Sequence, residues 1–237
     1  MWTDTTRAQY ARADLALPSD LTDAEWADVN KDGYTDLVVA QDWGGIVVFN
    51  NERGRKLVKQ EMVPGSEGLW GCLKPADIDG DGYPDLIMTA NHGVGVFIND
   101  RTGHFKKSNE LTIPQQRRAF HVELLDLNGD GKIDYVAGSH EWQDATRIIV
   151  NPGNNNFSGS FLNRPVEITI PAVPGAGVIV DFLYIKSNNS LYILRTGDGQ
   201  SNGTKFYEGV WLQKFSLDSL VSTMVYANPS WFQPGRP

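Results

Sequence analysis

The chain has 237 residues, a net charge of −8 and 41% apolar residues, seven of its side chains being tryptophan. That is enough for one large domain or two small ones, and the acidic balance argues against nucleic acid and an anionic membrane surface as partners. No apolar run approaches the ~18 residues needed to cross a bilayer, and a lone Cys72 excludes an internal disulfide. Cys72 reads as a buried, inert thiol.

The opening "MWTDTTRAQYARAD" is polar from residue 3, so no secretory signal opens this sequence. Residues 8–18 align with the end of each later unit, which makes them a candidate last strand of a blade. The first acidic core, "DVNKDGYTD", follows at 28–36, then strands at 37–40, 45–51 and 56–64. A second core, "DIDGDGYPD", occupies 77–85, preceded by "CLKPADI" and followed by strands at 86–90, 94–100 and 104–114. A third, "DLNGDGKID", occupies 126–134, preceded by "HVELLDL" and followed by strands at 135–138, 146–153 and 161–171. Asp28, Asp77 and Asp126 are spaced 49 residues apart, and each repeat holds four short strands.

A degenerate fourth unit spans 171–225, with Asp181 placed where its core starts and no acidic ligands after it. The tail is 226–237, where Trp231 and Phe232 stand between prolines. Four-stranded units at this period are the mark of an all-β fold, a β-propeller of antiparallel blades. One domain covers 1–237, either a whole ring or part of a longer propeller in a larger polypeptide.

The acidic cores need a cation. In D-x-[DN]-x-D-G the side chains at 1, 3 and 5 converge, the glycine makes the sharp turn, and a carbonyl at 7 adds a ligand. The ligands are then Asp28, Asn30, Asp32, Tyr34 and Asp36; Asp77, Asp79, Asp81, Tyr83 and Asp85; and Asp126, Asn128, Asp130, Lys132 and Asp134. Position 12 is Val39, Met88 or Ala137, not the glutamate of an EF-hand, so the closing carboxylate is the aspartate at position 9. Three Ca2+ sites of structural role are expected. Weak sites of this kind require extracellular calcium, which favours an extracellular, cell-surface or periplasmic location.

The pattern D-x-[DN]-x-D-G-x-x-D followed by an apolar strand resembles the FG-GAP or VCBS repeat, the repeat of integrin α-chain propellers. The resemblance covers residues 8–170 well and 171–225 weakly. It implies calcium on the four side chains of each acidic loop, and none in the fourth unit.

Alternation of strand direction puts the acidic turns on one end of the blades and the other loops on the opposite end. There stand Asp42 and Trp43, Glu67 and Trp70, Asn91 and His92, Arg117, Arg118 and His121, and His140, Glu141, Trp142 and Asp144. Of these, Asp42, Trp43, Trp70, Asn91, His92, His140 and Trp142 are the candidate ligand-binding set. Rings beside Asp, Asn and His suit a glycan or an extracellular protein. The alternative for the two tryptophans Trp43 and Trp142 is packing between blades. No G-x-S-x-G, H-E-x-x-H or P-loop occurs, and the four histidines have no metal spacing. Non-catalytic binding is therefore expected. A polysaccharide lyase or hydrolase and a purely structural propeller stay open. Sequons at Asn156, Asn188 and Asn202 are glycan acceptors if a eukaryote secretes the chain.

Overall fold

A computed structural model describes residues 20–68, 71–90, 93–109, 119–139, 146–150, 166–199 and 205–229. The proposed strand at 8–18 and the tail beyond 229 lie outside them. Sixteen strands form four antiparallel sheets, the blades of a four-bladed β-propeller, with no α-helix among the described residues. Blade 1 is β1 (Leu21–Ala27), β2 (Asp36–Gln41), β3 (Gly45–Asn51) and β4 (Leu57–Met62). Blade 2 is β5 (Leu73–Ala76), β6 (Asp85–Ala90), β7 (Gly93–Asn99) and β8 (Phe105–Lys107). Blade 3 is β9 (Ala119–Leu125), β10 (Asp134–Ser139), β11 (Thr146–Val150) and β12 (Val166–Ile170). Blade 4 is β13 (Val178–Ile185), β14 (Ser190–Thr196), β15 (Val210–Ser216) and β16 (Ser222–Asn228).

Each blade is a meander in which the first strand is an edge of its sheet. The edge position explains how Pro75, which has no N–H to give a ladder, sits within β5 opposite Leu86. The middle strands read as continuous apolar runs because both faces are covered: all six residues of β2 are buried. One face of blade 1 (Val38, Ala40, Ile46, Val48) packs on Leu73, Leu86, Met88 and Phe97 of blade 2. Ile87 and Val96 of blade 2 pack on Val122, Tyr135 and Ile149 of blade 3. Val136, Ile148 and Ile170 of blade 3 pack on Ile179, Leu191, Ile193 and Phe215 of blade 4. Cys72 is buried at the second interface, its Sγ 3.6 Å from the Val122 carbonyl, and burial pushes the thiol up to about 12. It is the inert cysteine expected.

Blade 4 corrects the sequence alignment in three respects. Ser190 pairs with Ile185 as Asp36 pairs with Ala27, so the turn equivalent to the acidic loops is the 3-10 segment Lys186–Asn188. Asp181 therefore lies inside β13 and does not start a core. The fourth unit also runs to Asn228, so 226–228 belong to β16 and not to the tail. His121 is likewise a residue of β9 and not of an inter-blade loop.

The first strands carry a repeated irregularity. Register breaks between Leu21 and Asp23, between Ala119 and His121, and between Ile179 and Asp181. These bulges re-aim the residue that follows each of them. In blade 1 that residue, Asp23, accepts the Leu73 amide of blade 2 at 2.9 Å. Two positions further on, the same strands meet through charge: Lys74 Nζ lies 2.8 Å from Glu25 Oε1 and 3.2 Å from Glu123 Oε1, so one ammonium joins three blades. Hydrogen bonding to Glu25 holds the Lys74 ammonium above its ordinary value against the opposing effect of burial. Lys74→Met leaves Glu25 and Glu123 half-buried without their shared cation and is expected to cost about 2–4 kcal/mol. Urea unfolding checks this, and a loss below ~0.5 kcal/mol would show the bridge to be an exposed-type pair.

Candidate functional site

The three acidic loops fold alike because aspartate and asparagine bond their own backbone. Asp28 accepts the amides of Asp32 and Gly33 at 3.1 and 2.9 Å, Asn30 accepts Asp32 at 2.9 Å, and Asp32 accepts Tyr34 at 2.9 Å. The second loop repeats this, with Asp77 taking Gly82, Asp79 taking Asp81 and Asp81 taking Tyr83. In the third, Asp126 takes Gly129, Asp130 and Gly131, Asn128 takes Asp130, and Asp130 takes Lys132. The glycine at position 6 has φ of 88°, 91° and 81° in the three loops, the left-handed region that glycine enters at no steric cost.

The aspartate at position 9 is a different kind of residue. Asp36, Asp85 and Asp134 are fully buried at the start of the second strand of their blades. Asp36 accepts the amides of Val29 and Asn51, at 3.1 and 2.7 Å. Asp85 accepts Ile78, Asp79 and Asn99, at 2.9, 3.2 and 2.8 Å. Asp134 accepts Leu127 at 3.0 Å. Asp36 and Asp85 thereby tie their loops to the far end of the next strand. Burial raises the Asp36 carboxyl above its usual range and lifts Asp85 to about 6, the backbone bonds pulling the other way.

Among the described residues, the second loop is the one that brings three carboxylates together. Asp77, Asp79 and Asp85 each offer an oxygen within 4.8 Å of the other two. Asp77 Oδ1 is buried and has no hydrogen-bond partner, while its other oxygen takes the Gly82 amide at 2.9 Å. A buried carboxylate oxygen with nothing to accept is costly, and a hard cation removes that cost. The residues present therefore fit Ca2+. In the first and third loops an asparagine holds position 3, so one charge fewer converges. Asp81 is drawn outward: Arg101 Nε lies 2.8 Å from its Oδ2 and holds its carboxyl below the usual range.

Neighbouring loops are joined. Asn99, buried at the end of β7, donates to the Val29 carbonyl of the first loop at 2.8 Å and to Pro84 at 2.9 Å. Its oxygen accepts Arg101 and Gly103 at 3.0 and 3.1 Å. The Lys31 ammonium lies 4.7 Å from the Tyr83 ring centroid. Sequence reasoning missed Asn99. The signal was present, since asparagine recurs at 51, 99 and 151 after the third strand-core of each unit.

At the other end of the blades, Asp42 and Trp43 form the β2–β3 turn, and Trp43 is 59% exposed with φ of 56°. Its carbonyl accepts Gly68 of the β4–β5 connection at 3.1 Å, which brings those two loops together as expected from strand alternation. Trp43 is therefore not core. Trp70, Asn91, His92, Arg117, Arg118, His140, Glu141, Trp142 and Asp144 lie outside the described residues. Of the sequons, Asn188 is described: it is exposed and closes the 3-10 turn of blade 4.

A second cluster lies away from the acidic loops. His121 Nε2 is 3.3 Å from Glu123 Oε1 and 3.4 Å from Asp181 Oδ1. Histidine spacing in the chain gave no hint of it, because its members come from two blades and both His121 and Asp181 follow a bulge.

Fold and loops together define a repeat propeller whose blades carry acidic turns. Residues 28–88 and 77–137 match the FG-GAP-like repeat, in agreement with the repeat pattern of the first three blades. No curated protein matches the sequence. Among solved structures, an Agrocybe aegerita lectin, described as specifically recognising non-reducing terminal N-acetylglucosamine, is 25% identical, with TM-score 0.45 over 62% of this chain. The present chain spans 38% of that lectin's length. BBS1N, solved in complex with ARL6DN, is 11% identical with TM-score 0.47, over 91% of this chain and 69% of its own.

Proposed function

We propose that the chain is a calcium-stabilised, non-catalytic module that binds glycan outside the cytoplasm through the loops opposite its acidic turns. The observation that supports it best is the second loop, where three carboxylates converge and Asp77 Oδ1 lacks a partner. Asp77, Asp79 and Asp85 would hold the ion there; Asp28, Asn30, Asp32 and Asp36, and Asp126, Asn128, Asp130 and Asp134, would hold it in the other two loops. Bound calcium supplies positive charge between like charges and pins the turn. The protein's own part is to present the oxygens on a backbone already set by its glycine turns. Weak calcium loops need extracellular calcium to fill, which supports a working site outside the cell. At the opposite end, the exposed Trp43 ring beside Asp42 offers a sugar an apolar platform and a hydroxyl acceptor.

Calcium in excess over its Kd should raise the melting temperature relative to chelator, by mass action on the folded state. Asp77→Asn should reduce that gain. Superimposable melts with calcium and with chelator would remove calcium from the account. A glycan array run in both conditions tests the ligand. Calcium-dependent binding to one coherent set of sugars, lost in Trp43→Ala, is the expected result. Binding to no sugar would transfer the surface to a protein partner, and release of unsaturated or hydrolysed products would make the protein an enzyme.

A further inference from the structure

We infer that His121, Glu123 and Asp181 form a binding site for a divalent transition-metal ion of the Zn2+ class, bridging blades 3 and 4 and separate from the calcium loops. The distances carry the argument. Two carboxylate oxygens approach the same imidazole nitrogen, Nε2, at 3.3 and 3.4 Å. Both separations are longer than the roughly 2.7–3.2 Å of a well-formed N–H···O bond, the Glu123 contact being a long hydrogen bond, and an N–H shared between two acceptors holds each of them weakly. Ligands about 2.0–2.2 Å from a tetrahedral Zn2+ lie roughly 3.3–3.5 Å from one another. All three ligand atoms lie within 4.8 Å of each other. The two nitrogen–oxygen separations are already at the spacing that the ion demands.

The site's setting supports the same assignment. The bulges before His121 and Asp181 turn both residues toward the junction of β9 and β13. The Phe182 ring packs on the imidazole at a centroid distance of 5.5 Å, which holds its plane. The charges nearby are Glu25, Glu123 and Asp181 against the single Lys74 ammonium, whose shorter contact is to Glu25. Carboxylates thus outnumber ammonium groups there, an excess that a bound cation offsets. An imidazole among the ligands favours Zn2+, Co2+ or Ni2+ over Ca2+ and Mg2+, which take oxygen. Three protein ligands leave one coordination position for water or an incoming donor. Asp181, with 61% of its side chain exposed, leaves that position accessible from solvent.

Titration of the full chain with ZnCl2, in buffer that holds saturating calcium, should show one site. Co2+ in place of Zn2+ should give the visible absorption of a tetrahedral ion with a nitrogen ligand. His121→Gln and the surface change Asp181→Asn should each weaken Zn2+ binding at least tenfold, while Asp79→Ala leaves it unchanged. Asp181→Asn keeps the test meaningful should His121→Gln misfold. Zn2+ binding that survives both site variants, or that falls equally in Asp79→Ala, would put the ion in the acidic loops and overturn the inference. Absence of any binding at a tenfold molar excess would overturn it as well. None of these outcomes depends on whether the loops bind calcium or the opposite face binds glycan.

Discussion

Asp85→Ala is expected to destabilise the metal-free protein by about 3–5 kcal/mol, because two buried backbone amides and a third, half-buried one lose their acceptor at once. Urea unfolding in chelator measures it, and a loss under ~1 kcal/mol would mean that water replaces the carboxylate without cost. The same residue sets a pH dependence. Burial raises its folded carboxyl to about 6, above the ~3.9 of an unfolded aspartate. The folded protein therefore holds the proton more tightly between about pH 4 and 6. The contribution from Asp85 is greatest below pH 4 and is lost as pH rises through about 6. Asp85→Asn should remove that slope. Calcium, which favours the ionised form, should weaken it in the native sequence.

Asn99→Ala is expected to cost a comparable ~3–4 kcal/mol and to act on two blades. It strips the buried Val29 carbonyl and the half-buried Pro84 carbonyl of their donor and the amides of Arg101 and Gly103 of their acceptor. Because Val29 belongs to the first acidic loop and Pro84 to the second, amide exchange should quicken in both. Asn99→Asp keeps the acceptor and loses the donor, so its effect should be intermediate. Exchange that quickens in blade 2 alone would show that the link to Val29 carries no energy.

The sequence showed the three acidic loops to the residue, because their geometry admits few side chains: Gly33, Gly82 and Gly131 at left-handed φ, and carboxylates or asparagine to cap the turn. The second and third strands of each blade were legible for a related reason, since runs such as "LVVA" and "LIMT" are buried on both faces. Blade 4 was misread where that chemistry ends. With no acidic loop, Asp181 was the only marker in reach, yet register there is set by pairing of Ser190 with Ile185. His121 with Glu123 and Asp181 was hidden because no linear spacing encodes a contact between blades. Asp85 was recognised as a carboxylate of the loop. That it is spent on amides across the blade is a fact of burial, which the letters D-x-x-D do not carry.

Lys74 has a consequence for assembly. Repeats of near-identical shape can dock in the wrong order as they fold, and mis-paired neighbours are the usual failure of such proteins. The equivalent position in the first three blades is occupied by Glu25, Lys74 and Glu123, so sign alternates from one blade to the next. Blade 1 set directly against blade 3 would face glutamate with glutamate. Charge at one position thus labels which blade follows which, and the Lys74→Met chain should lose refolding yield by more than its equilibrium stability alone accounts for.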